Sequence, residues 1–509
     1  MATVPLAELR LVVGIVVPVF LQMGSDRFVK SSALAFVGRY DPDAIAAAAL
    51  GNMYGSITGL SVGMGITMAV GSYCSRNFGR GATLENGVVV RHCLSALLLC
   101  FIFALSMAEV SPSLLRAFAQ PEELAEPVRQ FSMISAFAWP GNWIFVCFST
   151  VLSSQHCQLD STVGQALSSM LFFVLSWSLL SSGSGFLGIA IANVIASWAG
   201  VAYVVILIIA RGRQSKVWQV PAVVSTEGQL TLGQYLRSAI PMASSMWGEW
   251  WALEIMALFA GWLPGRQISV AAHGILFNTL LVVYMAFIAV SRACMIRVGH
   301  QVGARDVPGI RLSIRVCLVV AVSMSCVVAG LLEVFGGHIT SLFTHHLGIL
   351  DTANHAFLGV VLSVPPYSVT LCLMGALRSA GLQVWGAKAL FVSYYVVGLP
   401  FGYCLGVVGP AGLLGIWLGN AAALSCSALT SLAKITYFDW DIVVGRPECE
   451  DAVTAMAAPA TASQTSPLLG RQVPTPPCQH PTLIKSCRPS TAKIGGAKLD
   501  TPRCHPDIP

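Results

Sequence analysis

The sequence predicts an all-α integral membrane protein of twelve transmembrane helices, arranged as two six-helix lobes related by a parallel internal repeat. Three observations carry that expectation: a shortage of charge, a succession of apolar stretches of bilayer length, and a self-similarity at a shift of about 224 residues. Apolar residues make up 55% of the 509 and charged residues 10%, against about 25% charged in an ordinary globular chain. Many of those charges lie beyond Asp439, so the part before it is too poor in charge to coat a water-soluble surface of its size.

A bilayer core of about 30 Å needs about 20 apolar residues per helix. Stretches of that kind fall at 11–37, 44–73, 87–109, 129–153, 162–182 and 186–210, and again at 238–263, 268–294, 311–335, 354–377, 386–408 and 411–437. The expected domains are a first lobe (1–210), an interlobe connection (211–237), a second lobe (238–438) and a tail (439–509) rich in Pro, Ser, Thr and Ala, expected to be disordered. The N-terminus enters a span at once and shows no small-residue cleavage site, so no removed signal peptide is expected.

Shifted by about 224 residues, Gly79 falls on Gly303, Arg91 on Arg315 and Cys93 on Cys317. A near-equal shift places Pro18 on Pro241, and another places Asn193 on Asn420. Six spans per half give both halves the same topology, a plan that recurs in secondary transporters with the binding site between the repeats. Lys and Arg crowd one set of loops, among them Arg76, Arg80, Arg211, Arg213, Arg297 and Arg378, while the alternate loops carry only Arg39, Arg116 and Arg266. That bias puts both termini and the interlobe connection in the cytoplasm. The 15 cysteines lie mostly in apolar stretches and form no C-x-x-C pair, which excludes zinc and dithiol redox motifs. No G-x-x-x-x-G-K-[ST] loop is present, so nucleotide hydrolysis is not expected; no nucleic-acid partner is expected either.

Ionisable residues inside a span are costly and mark functional sites. Glu249 and Glu254 lie within the seventh span. Five residues turn a helix by about 500°, so their carboxyls project about 140° apart; one is expected to face the cleft and the other to pack within its own bundle. Trp247, Trp250 and Trp251 surround Glu249 in sequence and could hold a cation on a ring face. Asp26 falls on Glu249 under the proline-aligning shift, and Lys30, four residues on, could neutralise it.

The strings EWWALEI (Glu249 to Ile255), RVGHQVGA (Arg297 to Ala304) and YYVVGLP (Tyr394 to Pro400) resemble the eukaryotic branch of the multidrug and toxic compound extrusion (MATE) family. The resemblance covers about residues 10–437 and implies a secondary antiporter that exports small organic compounds, foremost organic cations and xenobiotics, in exchange for protons rather than Na+. It carries the family's proton-coupling acids onto Glu249 and Glu254. Where animal members commonly have acids in spans eight and ten, this sequence has Asn278 and Tyr367, which are expected to line the substrate cavity instead. An organic-acid exporter of the same family and a lipid-linked oligosaccharide flippase are the alternatives. No enzyme activity, metal or cofactor is expected. The partners are the bilayer and a small-molecule substrate, the protein acts as a monomer, and the plasma membrane or a vacuolar or endolysosomal membrane is its expected place.

Overall fold

The computed structural model describes residues 6–40, 45–117, 122–212 and 230–444. The expected disordered tail, from residue 445 on, and positions 213–229 of the interlobe connection lie outside the described residues. Among those described, the chain is helical and has no strand.

In the first half, α1 (Leu6–Tyr40) precedes α2 (Ile45–Gly55), a π-helical turn (Ser56–Leu60) and α3 (Ser61–Gly79). The long helix α4 (Asn86–Ala117) leads to α5 (Glu122–Ala136) and α6 (Ala138–Ser154), then α7 (Gln158–Ser181) and α8 (Leu187–Gly212). The second half begins with α9 (Leu232–Ala260), α10 (Arg266–Gly303), α11 (Val307–Ser341) and α12 (Leu347–Ser379). Helices α13 (Gln383–Val392) and α14 (Leu399–Gly402) are continued by π turns at Ser393–Gly398 and Tyr403–Val408. Last come α15 (Gly412–Thr436) and the short α16 (Asp441–Val444).

Eleven helical segments among the described residues are long and apolar enough to cross a membrane. The twelfth expected span is α9. Its 29 residues suffice in length, but two glutamates and three indoles dilute its apolar character. It starts earlier than expected because Thr231 and Gln234 form a capping box, which satisfies two otherwise orphaned backbone N–H groups. Helix α10 likewise runs past the expected end of its span to Gly303. Arg297 and Arg378 lie inside α10 and α12; the first is buried and the second lines the cavity between the halves, so neither counts as a water-facing loop cation.

The repeat is visible in how the halves are built. Val12, Ile15, Val16 and Val19 of α1 are buried in the core of the second half. Tyr235, Ala239, Met242 and Ala243 of α9 are buried in the core of the first half. These sets sit at matching distances before and around Pro18 and Pro241, so the first helix of each half crosses to the other. A proline inside a helix frees the carbonyl four residues earlier. At Pro18 that is Gly14 O, which accepts a hydrogen bond from Gln158 Nε2 of α7 (2.8 Å); Thr162 donates to Pro18 O (3.0 Å).

Helices α3 and α10, the second long helices of their halves, meet along a seam of small residues. A side chain on Gly303 would lie 2.1 Å from Arg76 O and 2.9 Å from Gly79 Cα. Gly79 has the same constraint against His300 O at 2.0 Å. Repeat-equivalent glycines thus abut, which places the pseudo-twofold axis between these two helix ends.

Candidate functional site

A cavity of about 380 Å³ lies between the halves. Helices of both halves wall it: α1, α2, the π turn, α3, α5, α6, α7 and α8 of the first, and α9, α10, α12 and α13 of the second. Beside it, Trp143 Nε1 donates to Leu60 O (2.9 Å) and Trp247 Nε1 to Ser61 O (3.1 Å). These indoles, one from each half, anchor the backbone where the π turn hands over to α3. Such single π turns are frequent at functional sites.

Glu249 reaches the cavity wall from α9, in the second half of the crossing helix, and is 5% exposed. Tyr367 of α12 donates its hydroxyl to Glu249 Oε1. Tyr284 of α10 stacks on Tyr367 at 5.3 Å with 17° between the planes, and Phe287 meets the same ring edge-on. The carboxyl is therefore held by one phenol whose ring is itself fixed by two aromatic neighbours. Asp26 lines the same cavity. It pairs with Lys30 (3.0 Å) and accepts from Gln165 Nε2 of α7 (3.0 Å).

The structure brings Glu249, Asp26, Tyr367 and Trp250 to the site and leaves other expected residues elsewhere. Trp247 is an interhelix anchor rather than a cavity wall. Trp251 is 61% exposed, away from the cavity. Glu254 does not pack within its bundle as expected; it is exposed, one helical turn from Trp251. Asn278 is also exposed, and its amide donates back to Gly274 O (2.8 Å). The α10 residue that faces the cavity is Tyr284, six positions on and about 240° around the helix.

Two cavity residues escaped the sequence reading. Arg292 of α10 and Arg378 of α12 both line the cavity, the first hidden in an apolar run and the second counted as a loop charge. They flank the α10–α12 contact, where Ser379 Oγ donates to Met295 O (2.5 Å). A side chain on Gly375 would lie 2.3 Å from Ser291 O.

One end of the cavity is sealed. Beyond Met295, the α3–α10 glycine seam closes the space between the halves. Beside it Arg297 of α10 makes a two-point pair with Glu8 of α1 (2.9 and 2.7 Å). Ser313 Oγ of α11 donates to the same carboxylate (2.8 Å). His300 Nε2 lies 2.7 Å from Ser154 O of α6, and its ring packs on Phe78 and His156.

Two parallel helical lobes around a central cavity with a buried carboxylate are the plan of a membrane transporter. The chain belongs to the MatE family, whose profile matches twice, at residues 18–178 and 241–404; the two matches begin at the paired prolines. It is 25% identical over 408 residues to multidrug and toxin extrusion protein 2 of Oryctolagus cuniculus, covering 80% of this chain and 67% of that protein. To Protein DETOXIFICATION 16 of Arabidopsis thaliana it is 27% identical, covering 80% and 84%. Its fold matches the crystal structure of the eukaryotic MATE transporter AtDTX14 with a TM-score of 0.80 at 22% identity, covering 86% of this chain and 98% of that one.

Proposed function

We propose that this protein exports small organic compounds in exchange for protons by alternating access, with Glu249 as the exchange site. The observation that carries the reading is the placement of Glu249: a buried carboxyl, gripped by Tyr367, at the wall of the cavity between the lobes. With the cavity open to the cytoplasm, ionised Glu249 accepts a cationic or hydrogen-bond-donating group of the substrate, and Trp250 packs on its apolar body. After the lobes rock, a proton from the far side neutralises Glu249 and the substrate leaves. One carboxyl cannot hold both, and that exclusion is the coupling.

The loop cations still favour cytoplasmic termini after Arg297 and Arg378 are set aside, which makes the sealed end with Glu8 the cytoplasmic one. The protein works as a monomer without a cofactor, driven by the proton gradient, in the plasma membrane or an endolysosomal or vacuolar membrane. Proteoliposomes with an imposed pH gradient test the reading: counterflow of labelled organic compounds should follow the gradient's direction. Equal flux with the gradient collapsed would overturn proton coupling.

A further inference from the structure

A column of polar side chains runs through the second half, beside the central cavity, and ends on Glu249. Three successive turns of α12 set its levels. Gly359 faces Trp417 of α15 so closely that a side chain on the glycine would lie 2.5 Å from Trp417 Cβ. One turn on, Ser363 Oγ accepts from Asn420 Nδ2 (3.1 Å) and donates to Gly359 O (2.7 Å). After one more turn, Tyr367 donates to Glu249. Residues three or four apart share a helix face, so Trp417 and Asn420 present the matching levels on α15. At the first level His273 of α10 tilts against Trp417, with ring centroids 5.4 Å apart, and stacks on Phe277. A turn earlier, Ser269 is buried and donates to Pro264 O (3.2 Å). Helix α10 ends in the sealed glycine seam, so Ser269 and His273, near its start, lie toward the opposite end.

Three polar atoms of this column have no hydrogen-bond partner among the described residues: His273 Nδ1, Trp417 Nε1 and Asn420 Oδ1. Their side chains are 4%, 0% and 2% exposed. About 90% of buried polar groups find a partner, so three neighbours without one mark a place for bridging water. An indole N–H donates, an amide oxygen accepts and an imidazole does either, which together orient water. His273 is faced by the Phe277 and Trp417 rings, and no charged side chain among the described residues acts on it.

We infer that this column is the proton's route to Glu249, entering at the end opposite the seam and passing by His273 and bridging water, apart from the central cavity. This rests on the reading of Glu249 as the exchange site. A neutral imidazole takes a proton at one ring nitrogen and releases one from the other, so His273 passes a proton on without keeping a charge. At the last step an O–H bond of water breaks as one forms on the Glu249 carboxylate, and the water regains its proton from the file behind it. The proton thus reaches Glu249 while the cavity still holds substrate, and displaces it rather than waiting for it to leave.

Infrared difference spectra of the purified full-length protein, without substrate, read the carboxyl band that appears when Glu249 takes up a proton. Its loss in Glu249→Gln identifies it. After an acid jump the band should rise about tenfold or more slowly in His273→Phe, which keeps the ring packing, and in Asn420→Leu. In both it should reach the native height at the end, which a role in packing alone does not explain. Ser363→Ala, the mildest change, should also slow the rise and carries the test if the other two do not fold. A native rate in every variant that folds would overturn the route. Absence of any Glu249-dependent band in the native protein would instead overturn the reading of Glu249, and the route with it.

Discussion

Glu8 at the start of α1 and Arg297 near the end of α10 form a buried two-point ion pair that ties the two halves of the sequence together at the sealed end of the cavity. The pair is 7% exposed on each side. Removing one partner of such a pair strands the other and costs about 3–5 kcal/mol. Arg297→Met should therefore lower the unfolding temperature of the detergent-purified protein clearly, and Glu8→Gln/Arg297→Met together should lower it less. Equal losses in the single and double variants would show that the pair acts through something other than its charges.

The glycine seam makes an independent prediction about closure. At Gly303 there is no room for a methyl group against Arg76 O at 2.1 Å. Gly303→Ala should leave the protein in the membrane but hold α3 and α10 apart, so that transport drops steeply. Normal transport by that variant would mean the seam need not close.

Tyr367→Phe keeps the stacked ring but withdraws the hydroxyl donated to Glu249. A donor to the ionised form favours that form. Its loss should move the pH profile of flux toward higher pH, with the stacking on Tyr284 preserved. An unmoved profile would separate the tyrosine from the proton-exchange step.

His156, in the turn between α6 and α7, is held below the usual histidine range by burial, with the Arg297 charge adding to it. A base with a depressed value contributes stability above its unfolded value, about 6.5, and that contribution is lost as pH falls toward the folded value. Acidification below about pH 6.5 should loosen the cluster with Phe78 and His300, and His156→Gln should flatten the stability-against-pH curve there. The same acid dependence in the glutamine variant would point to another group.

Architecture was legible in the sequence because bilayer length and charge scarcity are local signals, and because the duplication left paired prolines and glycines. Glu249 was legible as a carboxyl in an apolar run. What α9 faces was not, since the helix crosses to the other half, and that depends on contacts far apart in sequence. Glu249 and Glu254 do point apart, yet the second faces outward rather than into its bundle. Asn278 was placed by resemblance, and the geometry of α10 gives the position to Tyr284. Arg292 was missed because a single cation near the end of a span reads as a boundary; only the α10–α12 contact shows that it enters the cavity with Arg378.

The central claim is that Glu249 exchanges substrate for a proton, and Glu249→Gln tests it most directly. Glutamine keeps the size and can still accept a hydrogen bond from Tyr367, while removing both charge and titration. Flux of labelled substrate should be measured in proteoliposomes holding equal amounts of native and variant protein, with and without a pH gradient. The account predicts that the variant folds, reaches the membrane and loses gradient-driven flux, while Glu249→Asp retains part of it. Gradient-driven flux at the native rate in Glu249→Gln would contradict the account.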